Sequence, residues 1–560
     1  MLAASPFWLW VQFIFNLCGI QQVRGSGRSQ CRIMFIKVCA VQARQSIKMT
    51  LCGAVMNSLR QFPLGAVFPE SPHAVVCSLP TMADVCAYEE KDARVLNALT
   101  SGYPRFVMHP YVRQLVQHYL RHFALLNHVG LLVRGAHFAQ AIEAKHSGQV
   151  SVIEVEPALY FVHFPEDALE LAKQVRAYVQ HVGCGLSSRQ AEDSLLRLGY
   201  LEQAHQEAVC EVHAADQVRQ QLSELCACEP AYIRLCASGM SAFYAAFSAA
   251  RNIQRSRGRR RWLQLGWLYL DSGCILKEFL SPEESLTVCY DLSDVATLLR
   301  EIEHCGDELA AVVVEFPTNP LIQVADLVRI SQSVHAQGGL LIVDPSIASV
   351  YNVAVLPYAD LLVTSLTKFA AFEGDVMIGA LAVNPASLLS EPLLSTADDF
   401  CLEPHASDTA RLAHQMQSAP AIVSRMNSNA ERLANYLHRH PAVKRVHFAA
   451  DRSSYALLSK QSTACGALIT IELTVPMPSV YDALLCLKGP SFGTQFTLVS
   501  PFMYLAHYDL VTSDSGRAFL QQQGICPELL RISVGIEPYH AIENVFKHAL
   551  DRSLSTVTVS

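Results

Sequence analysis

Between residues 216 and 400, short aliphatic runs alternate with stretches whose apolar positions recur every three or four residues. The runs are WLQLGWLYL (262–270), AAVVVEF (310–316), GLLIVD (339–344), ADLLVTS (359–365) and MIGALAV (377–383). Such near-continuous runs suit strands buried on both faces, and the helical stretches between them suit crossovers. The pattern predicts an α/β large domain with a mostly parallel, doubly wound sheet. Residues 401–560 open on a long helical stretch, then offer strands at ALITIEL (467–473) and LLRISVGI (529–536), as a smaller C-terminal α+β domain would. Residues 57–215 start Pro-rich and loop-like and continue as mixed short apolar runs and helical patterns. Within them Ser187 and Gln190 form a capping box that opens SSRQAEDSLLRLGYLEQAHQEAV, a stretch with leucines at helical spacing.

The remaining segment, 1–56, reads as an N-terminal extension. Its apolar run FWLWVQFIFNLCGI (7–20) is shorter than the ~20 residues of a spanning helix. No Lys or Arg precedes Arg24, so the basic start of a signal peptide is missing. The basic stretch from Arg24 to Lys48 leaves two readings: a targeting segment, or an over-extended frame with initiation at Met49 or Met56. No other run reaches spanning length, which predicts no stable membrane association and a cytoplasmic location.

Charge and composition narrow the classes further. Lys and Arg number 43 against 50 Asp and Glu, and this net −7 argues against a nucleic-acid partner. The run RSRGRRRW (255–262) is then a solvated turn before a strand. With 51% hydrophobic and 17% charged residues, the chain can bury large cores and is not a disordered one. Its 18 cysteines include no CxxC, as expected of reduced, buried thiols. His118 with His122, and His438 with His440, have no Cys or carboxylate at ligand spacing nearby, so no metal site is expected.

Chemistry concentrates at two strand ends. The run GLLIVD delivers Asp344 at its carboxyl end, the edge where ligands sit in open α/β sheets. A second strand ends in Ser365-Leu366-Thr367-Lys368. Lysine is rarely buried without a partner, and a desolvated lysine becomes a Schiff-base former. A lysine and a carboxylate at one sheet edge are the protein's half of pyridoxal phosphate chemistry. A turn lysine and an N-capping aspartate would account for the same two residues. ASGMSA (237–242) is either a plain N-cap or a helix start whose Gly239 and Met240 amides form an anion site.

These motifs, in this order, resemble the Cys/Met-metabolism group of pyridoxal-phosphate enzymes of fold type I, and most closely its fungal-type cystathionine γ-synthase branch. The resemblance rests on VD…VLPYAD…SLTK (343–368), EFPTNPLIQVADL (315–327), ASGMSA, LQLGWLYLDSGCILKEF (263–279), TSGYPRF (100–106) and LLRISVGIEP (529–538). It implies pyridoxal 5'-phosphate held through Lys368, with Asp344 on the ring nitrogen, Asn319 on the ring oxygen and Tyr269 stacked on the ring. Lys368, Asp344 and Tyr269 would be catalytic. Ser365, Thr367, Gly239 and Met240 would bind the phosphate. Tyr103 and Arg105 would reach the phosphate of a neighbouring subunit, making a homodimer or tetramer the active form.

The same resemblance implies that Arg531 clamps the substrate α-carboxylate. SFGTQFTLVSPF (491–502) replaces a motif of the wider family and sets Thr497 where a serine helps bind that carboxylate. The implied reaction is γ-replacement, joining cysteine to an O-acylated homoserine to give cystathionine. A γ-lyase, an O-acylhomoserine sulfhydrylase and a non-catalytic paralogue acting as an interaction module are the rivals. Pro345 and the loop FAAFEGD (369–375) depart from the branch's usual pattern and motivate the last of these.

Overall fold

A module that hydrophobic periodicity did not predict precedes the central sheet. In the computed structural model, which describes residues 58–103 and 107–557, the three strands between residues 128 and 165 form an antiparallel sheet. They are β1 (His128–Arg134), β2 (Ser151–Glu156) and β3 (Leu159–Pro165), in the order β1-β3-β2. Phe161 and Leu132 pack on one side with Leu115 and Leu195. Val162 and Phe164 pack on the other with Phe138 and Val175. The middle strand is therefore apolar on both faces and lacks the alternation by which a half-buried strand is recognised. The expected extension, 1–56, lies outside the described residues.

Three helices lie between this module and the main sheet, the last of them Ala214–Cys226. Helix α1 (Leu169–Val182) ends at Gly183, whose φ of 71° is left-handed. A Cβ at Gly183 would fall 2.5 Å from Ser238 Oγ, so this stop also lets the chain approach the loop at 238 closely. Helix α2 (Ser188–Arg197) makes only half of the expected capping box: Ser187 Oγ accepts from Gln190 N at 3.2 Å, while Gln190 Oε1 is buried without a hydrogen-bond partner. It stops well short of residue 209, because Gly199 turns the chain at φ 75°.

The central sheet has seven strands. They are β4 (Ile233–Cys236), β5 (Arg261–Leu265), β6 (Ser285–Cys289), β7 (Leu309–Glu315), β8 (Leu340–Asp344), β9 (Leu361–Ser365) and β10 (Gly379–Val383). Their order is β4-β10-β9-β8-β7-β5-β6. Pairings among β5 to β9 are parallel, and β10 runs antiparallel to both its neighbours. Side chains of β7 and β8 feed separate apolar clusters on the two faces, as a doubly wound sheet requires. The run 262–270 is not one strand. Gly266 turns at φ 73°, and Leu270 opens helix α4. Helix α3 (Gly239–Ser256) follows β4, and α4 spans Leu270–Glu278.

A second sheet uses β11 (Val443–Phe448), β12 (Leu468–Leu473), β13 (Leu487–Lys488), β14 (Leu498–Ser500) and β15 (Leu530–Ser533), in the order β11-β12-β15-β14-β13. Register places Arg531 of β15 opposite Ser500 of β14. The basic run 255–262 turns at Gly258, and Arg259 there donates to the Leu309 and Gln337 carbonyls. No described cysteine forms a disulfide. Among the described residues no helix is long and apolar enough to cross a membrane.

Candidate active site

The ends of β7, β8 and β9, the start of α3 and the loop before β14 enclose a cleft of about 880 Å³, its mouth included. Lys368 lines it and is only 7% exposed. Its Nζ donates to Ser491 Oγ at 3.1 Å and lies 4.5 Å from the Tyr103 ring centroid and 5.0 Å from that of Phe492. Burial, with a contribution from the Arg531 charge, lowers its pKa to about 7. A large share of this amine is thus neutral at physiological pH.

Asp344 closes β8 and is open only toward the cleft. Its Oδ1 accepts from Ser346 N at 2.8 Å. Burial raises its carboxyl to about 6. Its register partner on β7 is Glu315, whose Oε1 accepts from Tyr269 N. Burial and the neighbouring Asp344 charge hold Glu315 well above the usual carboxylate range. Two like charges side by side are costly, so the proton rests on Glu315 and Asp344 remains the anion.

Arg531 is buried and aimed by two acceptors. Nη1 donates to Asn319 Oδ1 at 3.2 Å and Nη2 to Ser491 O at 2.9 Å. The rings of Phe492 and Phe502 lie 5.1 and 4.9 Å from its Cζ. Desolvation lowers its pKa to about 10, which still leaves it a cation at neutral pH.

A phosphate has a ready cradle. Ser238 Oγ caps α3 by accepting from Ser241 N at 3.1 Å, while the first amides of an 18-residue helix have no partner within it. Ser365 Oγ is buried with no hydrogen-bond partner and lines the cleft beside Gly239 and Met240. A Cβ on Gly239 would sit 2.9 Å from Ser365 Cβ, so only glycine leaves room there. An orphaned hydroxyl, a helix start, a dry lysine and an anionic aspartate fit pyridoxal phosphate.

The structure brings Lys368, Asp344, Asn319, Ser365, Gly239, Met240, Tyr269, Tyr103 and Arg531 together around one cleft. Tyr103, expected to reach a neighbouring subunit, stands in the cleft of its own chain. Arg105 lies outside the described residues. Two of the expected residues lie off the cleft wall. Thr367 Oγ1 donates to Ile378 O and accepts from Ile378 N, so its hydroxyl closes a turn beside β10. Thr497 Oγ1 donates to Glu537 Oε2 at 2.9 Å and accepts from Gly535 N at 3.1 Å. Neither threonine lines the cleft.

Sequence reasoning missed Glu315, Ser346, Ser491, Phe492 and Phe502. Glu315 carried a usable signal, since a carboxylate ending the aliphatic run AAVVVE is as anomalous as Lys368. Ser491 carried none, because its role depends on a loop folding back from the second sheet.

A doubly wound sheet with a dry lysine, a carboxylate and a helix start at one edge defines a pyridoxal-phosphate-dependent enzyme of fold type I. The chain belongs to the Cys/Met metabolism PLP-dependent enzyme family, whose sequence pattern matches residues 211–551. It is 36% identical over 493 residues to the L-2-amino-4-chloropent-4-enoate dechlorinase/desaturase of Streptantibioticus cattleyicolor, across 86% of this chain and 97% of that protein. The cystathionine γ-synthase of Neurospora crassa is 33% identical over 324 residues, 56% of this chain and 50% of its own length. The solved cystathionine γ-synthase of Xanthomonas oryzae shares the fold, with TM-score 0.51 and 23% identity over 60% of this chain and 85% of its own.

The depressed lysine sets a pH dependence. Only the neutral amine can attack the cofactor aldehyde. For a group near 7, the neutral fraction climbs through pH 7 and levels off about one unit above. Covalent loading of the cofactor-free chain, followed by visible absorption, is therefore expected to be near its plateau at pH 8. At pH 6 it should run at about a tenth of that rate. A rate still rising tenfold per unit above pH 9 would mark an ordinary lysine.

Proposed function

We propose that this enzyme expels a leaving group from Cγ of an L-α-amino acid, and that γ-replacement by cysteine on an O-acylated homoserine, giving cystathionine, is its reaction. The observation that carries the proposal is the pairing of a buried, partly neutral Lys368 with a braced Arg531 in one cleft. Pyridoxal phosphate, when bound, supplies a ring that accepts the electrons of the Cα–H bond. Asp344 holds the proton on the ring nitrogen. Gly239, Met240 and Ser365 would hold the phosphate, and Tyr269 and Asn319 would hold the ring. Arg531 takes the substrate carboxylate as a two-pronged pair. Fixing that carboxylate orients the Cα–H bond toward Lys368. The Lys368 amine removes the Cα proton and returns protons to neighbouring carbons, help typically worth about 10²–10⁴-fold.

A second reading is elimination without an incoming thiol. The wall formed by Phe492, Phe502, Leu505 and Ala506 is apolar and suits a small uncharged γ-substituent. The Streptantibioticus relative, named for a chlorinated amino acid, matches over nearly its whole length. A sulfhydrylase reading differs only in the thiol. We further propose a homodimer or tetramer, as the family resemblance implies, working in the cytoplasm, a location supported by described cysteines that form no disulfide.

The test incubates the cofactor-loaded full chain with O-acetyl-, O-succinyl- or O-phosphohomoserine and cysteine, sulfide or no thiol. A parallel arm follows chloride release from L-2-amino-4-chloropent-4-enoate. Cystathionine formed only with cysteine is the expected result. A 2-oxo acid or chloride without thiol would select elimination. Cofactor-loaded protein inert toward all of them would overturn the proposal in favour of an interaction module.

A further inference from the structure

The expectation of no metal site rested on histidine spacing along the chain. The fold joins residues that spacing separates. His181, next to last in α1, meets Cys274 and Glu278 of α4, and one ligand atom from each lies within 4.8 Å of the others. Cys274 and Glu278 are four residues apart, hence on one face of the helix.

A second observation concerns how the imidazole is held. Asp271 Oδ1 lies 3.1 Å from His181 Nδ1 and is fixed by Gln180 Nε2 at 2.8 Å. Asp271 is 1% exposed and His181 7%. This carboxylate makes Nδ1 the protonated nitrogen and leaves Nε2 with its lone pair outward. That lone pair faces a Glu278 oxygen at 3.9 Å. Two electron-rich atoms so placed call for a cation between them. A buried carboxylate orienting a histidine whose other nitrogen looks outward is the arrangement found behind metal-bound histidines.

We propose that His181 Nε2, Cys274 Sγ and Glu278 bind a divalent transition ion of the zinc type, with water in the fourth position. Nitrogen, thiolate and carboxylate together suit zinc rather than magnesium or calcium. Ligand atoms around tetrahedral zinc sit about 3.5 Å apart. The half-exposed Glu278 side chain has the freedom to close that difference. None of the three lines the catalytic cleft, so the ion would occupy a separate place. It would tie α1 to α4, whose Ser272 and whose N-cap residue Tyr269 line the cleft.

The test uses the cofactor-loaded full chain, stripped with a chelator and titrated with cobalt(II) or zinc(II) alone. One ion per chain, a near-ultraviolet thiolate-to-cobalt absorption and a zinc-dependent rise in melting temperature are expected. Cys274→Ser should lose the absorption and the rise. His181→Gln should bind zinc at least tenfold more weakly, and Asp271→Asn about 10–100-fold more weakly. Absorption retained in Cys274→Ser would assign the ion to other thiols and overturn the site. Absence of any zinc effect on the unmodified chain would also overturn it.

Discussion

Lys368→Ala is expected to cost about 10²–10⁴-fold in turnover from lost proton transfer alone, and to abolish the visible absorption of lysine-bound cofactor. Both effects come from one amine. It is dry, so it is partly neutral and able to attack a carbonyl; it lines the cleft, so once released it can reach the substrate's Cα. Its hydrogen-bond acceptor among the described residues, Ser491 Oγ, aims it without favouring the charged form as a carboxylate would. Lys368→Arg is expected to fare no better, because a guanidinium stays protonated and cannot take up a proton. The measurements are kcat on the substrate found above and an absorption spectrum after cofactor loading. Melting temperature is the control, since deleting a desolvated amine should not unfold a core built elsewhere. Turnover retained in Lys368→Ala would remove the lysine from the chemistry.

The reactive edge was legible because its residues break a rule. Asp344 and Lys368 each end or follow a run of aliphatic side chains, where burial disfavours charge. Glu315 breaks the same rule and deserved the same attention. The parallel strands were legible for the complementary reason, that strands buried on both faces read as unbroken aliphatic runs. That logic failed for β3, where LYFVHFP mixes aromatic, aliphatic and polar residues on two buried faces. Hydroxyl side chains were least legible. Ser365, Thr367 and Thr497 look alike in sequence, yet Thr367 closes a backbone turn, Thr497 is tied to Glu537 and Gly535, and Ser365 stands unpaired in the cleft. Which hydroxyl is spare depends on the backbone groups that come to lie beside it. Contacts between distant segments, such as Ser491 with Lys368 or His181 with Cys274, leave no periodic trace at all.

Arg531 provides the test that separates substrate binding from cofactor chemistry. Its guanidinium is buried, spread between Asn319 and Ser491, and flanked by two aromatic faces. Removing one member of a buried charge pair costs about 3–5 kcal/mol. In kcat/KM, Arg531→Ala should therefore lose about 10²–10⁴-fold, with the loss expressed toward any substrate bearing an α-carboxylate. Arg531→Lys should recover little, because a single ammonium cannot make the two-pronged contact or span both acceptors. Cofactor loading through Lys368 should survive both changes. The alanine variant should load along a curve displaced to higher pH, since the Arg531 charge is one of the two influences that depress the lysine. The lysine variant keeps the charge, so its curve should stay near that of the unmodified protein. Measuring kcat/KM and the loading profile on the same preparations tells the two roles apart. An Arg531→Ala enzyme within threefold of the original kcat/KM would mean that another group receives the carboxylate.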